Sequence, residues 1–179
     1  AAATPIPAIS YGNLSLSGSS VTKTAQGNIT VRGNFANYNS VTFNLGSSNT
    51  HTFNGNLTNT GTIANATSPN QSNIVFEGSG NANLPAITNG IANLTINRSG
   101  GIVSMTGINT IFGALSLTDG ILAINGQILT IDGTVASGGL GSISGSTTSS
   151  MVINGSGNLG TLNFTSGDQI LLNLTINRS

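Results

Sequence analysis

The heptapeptide Asn93-Leu94-Thr95-Ile96-Asn97-Arg98-Ser99 returns letter for letter as Asn173-Leu174-Thr175-Ile176-Asn177-Arg178-Ser179. A looser copy stands at Asn13-Leu14-Ser15-Leu16-Ser17-Gly18-Ser19. The starts at 13, 93 and 173 are evenly spaced, and self-similarity at a fixed period marks a repeat array rather than a one-off globular fold. The chain reads as a leader or linker over 1–12, a first β repeat over 13–92, a second over 93–172, and the first strand of a third over 173–179. Within each copy apolar and small polar residues alternate. Leu94 and Ile96 therefore face one side and Thr95 and Asn97 the other, the period-two pattern of a half-buried strand.

Only 4% of residues are charged, against about a quarter in ordinary globular proteins. Asn, Ser, Thr and Gly make up roughly half the chain and supply the polar surface; these residues favour turns and strands over helix interiors. The evenly spread Leu, Ile and Val argue against disorder. Lys23, Arg32, Arg98 and Arg178 balance Glu77, Asp119, Asp132 and Asp168. No basic stripe is present to neutralise phosphates or anionic lipid, so neither nucleic acid nor membrane insertion is expected. The absence of cysteine excludes a disulfide framework and a thiolate metal site.

The first repeat shows apolar alternations at Leu14 to Leu16, Ile29 to Val31, Val41 to Leu45, His51 to Phe53, Ile74 to Phe76 and Ile91 to Ile96. The longest polar tract, Asn59 to Asn73, contains Pro69 and is the best loop candidate. In the second repeat, Ala114 to Leu117, Ile121 to Ile124, Gln127 to Ile131 and Thr134-Val135 are separated by Asp119-Gly120, Asn125-Gly126 and Asp132-Gly133. The step is roughly seven residues. Asp-Gly and Asn-Gly also suit hairpins, so an antiparallel β-sandwich or meander is the alternative. The all-β solenoid, a parallel β-helix in which three sides make one coil, is preferred because aliphatics occur in every side and aromatics are only 4%. Its interior takes aliphatics more readily than rings.

The run from Asn93-Leu94-Thr95-Ile96-Asn97 through Leu115-Ser116-Leu117-Thr118-Asp119-Gly120 and Ile128-Leu129-Thr130-Ile131-Asp132-Gly133 to Asn173-Leu174-Thr175-Ile176-Asn177 resembles the β-strand-rich repeats of large secreted surface proteins and adhesins of Gram-negative bacteria. The resemblance covers the chain after residue 12. It implies an extracellular, cell-surface localisation and a filamentous or adhesive role, and it brings no catalytic residue. A signal sequence and a C-terminal sorting domain, both expected of such proteins, are missing from the sequence, which reads as a processed piece or an excerpt.

No enzymatic constellation stands out. Asp119 and Asp132 are the only acids close enough in register to pair, and each precedes a glycine, where Asp caps its own turn. His51 reads as a solvated strand residue. No Gly-x-Ser-x-Gly precedes a base, and Gly138-Gly139-Leu140-Gly141 lacks the lysine of a phosphate loop. Asn-x-Ser/Thr triplets at Asn13, Asn56, Asn93, Asn97, Asn163 and Asn173 follow from composition, and stacked Asn ladders are the structural reading. Arg98 and Arg178 are read as exposed, pairing with Asp168 or a neighbouring copy.

The sequence thus predicts the non-enzymatic shaft of a surface fibre, with no cofactor and no metal. Its core layers are Leu94, Ile96, Leu115, Leu117, Leu122, Ile124, Leu129, Ile131, Leu174 and Ile176. Asn173, Leu174, Thr175, Ile176, Asn177, Arg178 and Ser179 form a candidate self-assembly edge. The expected partners are further copies of the chain and, second, surface glycans. A carbohydrate-binding or carbohydrate-cleaving β-helix and an ice-binding solenoid, the latter suggested by Thr22-Lys23-Thr24, Thr50-His51-Thr52 and Thr58-Asn59-Thr60-Gly61-Thr62, are the alternatives.

Overall fold

A computed structural model describes residues 3–136 and 138–179. Among these residues the chain is all β and helix-free, and it winds into a parallel β-solenoid of about eight coils. Every ladder joins strands in parallel, so the antiparallel alternative does not hold. Paired residues lie between 19 positions apart, as in Thr4↔Lys23, and 25, as in Ser146↔Leu171. The glycine bends that would close a hairpin instead turn the chain from one side of the coil to the next. Asn125 and Gly126, for example, take left-handed φ values of 54° and 76°, and the backbone bonds then go to the coil below.

Three sides build each of the first four coils. Coil one comprises β1 (Thr4–Ile6), β2 (Ser10–Tyr11) and β3 (Leu14–Leu16); coil two β4 (Val21–Ala25), β5 (Ile29–Val31) and β6 (Phe35–Asn37). Coil three comprises β7 (Val41–Asn44), β8 (Thr50–Phe53) and β9 (Leu57–Asn59); coil four β10 (Thr62–Ala64), β11 (Asn73–Ser79) and β12 (Ala82–Leu84). Thereafter strands run round a corner. After β13 (Ile87–Thr88), β14 (Leu94–Met105) covers sides two and three. After β15 (Asn109–Ile111), β16 (Ala114–Ala123) does the same. Next come β17 (Ile128–Ile131), β18 (Thr134–Ala136) and β19 (Ser142–Ser144), then β20 (Ser146–Ile153) and β21 (Leu171–Ile176).

Side one begins as β1-β4-β7-β10-β13 and, through the single bridge Ile91↔Ile111, continues as β15-β17-β20-β21. Side two is β2-β5-β8-β11-β14-β16-β18, and its next coil is met at the bridge Val135↔Gly160. Side three runs from β3-β6-β9 to β12, the second halves of β14 and β16, and β19, and reaches Phe164.

The interior is one continuous apolar stack. Leu94, Ile96, Leu115, Leu117, Leu122, Ile124, Leu129 and Ile131 are buried in it. Leu174 and Ile176, expected beside them, are 52% and 63% exposed. They lie on Met151 and Ile153 of β20, and no described strand covers their other side. Residues 4–11 are not a linker: β1 pairs with β4, β2 with β5, and Ile6 is buried. The interior also holds more rings than expected, because Phe35, Phe43, Phe53 and Phe76 pack with centroids 5.2 to 6.0 Å apart in the early coils.

Stacking runs through residues 92–93 and 172–173 without a break. The 80-residue sequence period is not a whole number of coils. Residues 93–99 run into the start of β14 on side two, whereas residues 173–179 begin inside β21 on side one and continue past its end. A three-sided coil offers near-equivalent positions at each corner, so the same strand-and-bend unit fits more than one side.

Candidate functional site

The conspicuous polar structure lies at the corners, where bends leave carbonyl oxygens without ladder partners. Arg98 follows Leu94 and Ile96 at inward parity on β14 and is 1% exposed. Its Nε donates to Gly80 O (2.9 Å) and Nη2 to Ser79 O (3.0 Å). Nη1 donates to Glu77 O (2.7 Å) and reaches Phe53 O and Gly55 O (3.3 and 3.4 Å). The guanidinium thus ties its own coil to the two below. Burial lowers its pKa, yet an arginine stays protonated, and carbonyl dipoles replace the lost water. All five acceptors are backbone carbonyls, which corrects the reading of Arg98 as an exposed ion-pairing residue.

Arg178 repeats the arrangement at the corner between sides one and two. Nε donates to Gly157 O (2.7 Å), Nη2 to Ser156 O (2.6 Å), and Nη1 to Asn154 O (2.6 Å) and Gly133 O (2.7 Å), with Asp132 O at 3.4 Å. The one-below partners come from Glu77-Gly78-Ser79-Gly80 in the first case and Asn154-Gly155-Ser156-Gly157 in the second. Arg98 is sealed by the coil above, where a Cβ on Gly120 would clash with the Arg98 carbonyl oxygen. Arg178 has no such cover and is half-buried.

His51 corrects a second expectation. It is fully buried, in register between Ile29 and Ile74, with Phe43 edge-on at 6.1 Å. Nε2–H donates to Leu45 O (2.8 Å), and Nδ1 has no partner. Desolvation pulls its pKa down to about 4, against a smaller upward effect of the Leu45 hydrogen bond. The imidazole is therefore a neutral core group at pH 7.

Asp119 Oδ1 accepts from Gly120 N (2.8 Å), the turn cap expected there. Asp132 accepts from Asn154 Nδ2 (3.0 Å) at a different corner, so the two acids are not brought together. Among the described residues there is no cluster of three acids or histidines able to hold a metal, and no ligand-sized cleft. The Asn ladders are present: Thr50 N donates to Asn28 Oδ1, Asn73 Nδ2 to Thr50 Oγ1, Asn93 Nδ2 to Asn73 Oδ1 and Ala114 N to Asn93 Oδ1. Of the tract from Asn59 to Asn73, residues 67–70 bulge outward, anchored by buried Asn65, Gln71 and Ser72.

The other feature is the edge at β21. Leu172, Leu174 and Ile176 share one parity and are all more than half exposed. Strand β21 bonds to β20 on one side only. Sequence reasoning placed this edge but missed both buried polar groups, although each sits two residues from an inward apolar residue. Comparison of the chain with protein-family models, curated proteins and solved structures gives no match.

Proposed function

We propose that the chain is the structural shaft of an extracellular fibre or adhesin, acting as a stiff spacer that joins end to end with further copies. The observation that carries this reading is the unbroken parallel stack of about eight coils, tied at its corners by arginines that each bridge three coils. Hydrogen bonds running along the axis make such a stack resist stretching and bending. The sequence resemblance supplies the surface location and the link to adhesion. Electron microscopy of native material with mass-per-length determination tests the reading. With 17.9 kDa over 179 residues and about 21 residues for each rise of about 4.8 Å, a single solenoid weighs about 4 kDa per nanometre. Fibres of that mass and one solenoid wide are expected; isolated compact particles would refute it.

One observation favours the ice-binding alternative. Ser10, Thr30, Thr52, Val75, Thr95, Ser116 and Ala136 fall in register along side two, a file of small residues facing outward. The Thr triplets that first suggested ice binding lie on different sides and do not form one plane. Unchanged ice-crystal growth at micromolar protein rejects this reading.

A further inference from the structure

The single histidine lies inside the corner that leads from side one to side two, between the bend after β7 and the bulge after β10. There Leu45 O accepts from His51 Nε2 and Asn49 Nδ2, both at 2.8 Å. Ser72 Oγ, one coil up, reaches Leu45 O and Gly46 O at 3.4 and 3.3 Å and accepts from Asn49 N at 3.1 Å. Ser72 is fixed in turn by Asn65, whose Oδ1 accepts from Ser72 N (2.7 Å) and whose Nδ2 donates to Ser72 O (3.1 Å). His51, Asn65 and Ser72 are buried, whereas Ser47, Ser48 and residues 67–70 are exposed. Ser48 N, donating to Asn70 O (2.9 Å), ties the two exposed bends together.

This corner is balanced only while His51 is neutral. Nε2–H is used on Leu45 O, and the buried Nδ1 keeps its lone pair among Ile29, Ile74 and Phe43, none of which can accept a hydrogen bond. A second N–H and a full charge at that place would have no acceptor. The ionisable groups nearby do not compensate. Arg32, just past β5, and Glu77 in β11 take outward parity, three residues beyond Ile29 and Ile74. Lys23, in register with Phe43, and Arg98, bonded to Phe53 O at the far end of β8, are themselves cations. A charged imidazole must therefore reach water. Strands β5, β8 and β11 are laddered to one another, so the bends, held by a few side-chain and backbone bonds, give way before the strands do.

We propose that residues 46–49 and 66–72 form an acid-released flap: protonation of His51 frees the two bends from each other and admits water to the Leu45 corner, while the ladders around it stay closed. The sign follows from the neutral closed form. Protons bind the open form preferentially, so opening is suppressed above about pH 6.5 and grows below it. The flap goes beyond the shaft reading and stands apart from it, because nothing in it depends on copies joining.

Residue-resolved hydrogen exchange on the whole chain, corrected for intrinsic rates, tests this at pH 7 and pH 4. The amides bonded across the flap are those of Ser48, Asn49, Ser72 and Asn73. With a closed value of about 4 and an open one of about 6.5, they should open about a hundred-fold more often at the lower pH. That opening should depend little on denaturant, whereas the amides of β16 and β17 should exchange more slowly and with the steep slope of whole-chain unfolding. Flap amides that share the slope and acid response of β16 and β17, or that show no acid response, would overturn the proposal. His51→Gln keeps a side-chain N–H for Leu45 O but does not titrate, and it should abolish the acid response; the same response in H51Q would also overturn the proposal. If that variant does not fold, the imidazole signal of the one histidine in NMR spectra of the unaltered chain decides. A titration midpoint well below about 6.5 supports the flap, and one at about 6.5 in folded protein refutes it.

Discussion

The same seven residues occupy two environments in this molecule. In β14, Leu94, Ile96 and Arg98 are buried at 0 to 1% exposure; in β21, Leu174 and Ile176 are more than half exposed and Arg178 half-buried. Local sequence is identical, and the corner hydrogen bonds are nearly so. The difference is the coil above. A strand in this fold forms by pairing with the coil beneath, but its core is completed only by the next coil. Burial is thus a property of neighbours, as expected when each repeat unit contacts only those beside it.

Position-matched substitutions sharpen that contrast. Arg98→Ala orphans five carbonyls in a sealed corner and should lower stability by about 3–5 kcal/mol in denaturant unfolding. Arg178→Ala in dilute protein should cost less than half as much, because water reaches the vacated corner. Equal costs would show that the covering coil contributes nothing.

A second contrast sets Arg98 against His51: one buried group keeps its charge, the other gives it up. With the folded pKa at about 4 and an unfolded value of about 6.5, protons bind the unfolded chain preferentially between these values. Stability is fully present above about pH 6.5 and falls by about 3 kcal/mol as the pH drops to about 4. His51→Phe should flatten that slope in a pH series of unfolding midpoints. A slope that persists unchanged would place its origin elsewhere.

Smaller effects follow at the aliphatic and ladder positions. Ile96→Val should cost about 1 kcal/mol and Ile176→Val well under half of that. Asn93→Ala removes the acceptor of Ala114 N and the bond to Asn73, at about 1 kcal/mol. Asn173, whose side chain has no covering strand to bond, should tolerate alanine with almost no change in the melting midpoint.

Much of the architecture was legible because alternation and glycine bends are local signals. The strands at Leu14, Ile29, Ala114 and Ile128 were placed, and the solenoid was preferred over the meander. The coil period was harder to see than the 80-residue repeat, since residues 20 apart share only a pattern of small and apolar types. Strands β1 and β2 look like a leader or linker in sequence because they hold Pro5 and few aliphatics and are fixed mainly by pairing to β4 and β5. Parity would have exposed His51, two residues before Phe53, and Arg98, two after Ile96. What parity cannot supply is the convergence of carbonyls from residues 53, 55, 77, 79 and 80, which depends on how three bends stack.

The most direct test is hydrogen exchange of the two heptapeptides, whose identical sequences give nearly identical intrinsic rates. Among the described residues the first half of β14 is bonded to β11 and β16, and β21 to β20 alone. In dilute monomer the Leu94–Asn97 amides should exchange far more slowly than those of Leu174–Asn177. Equal protection of both segments in dilute protein would contradict the account.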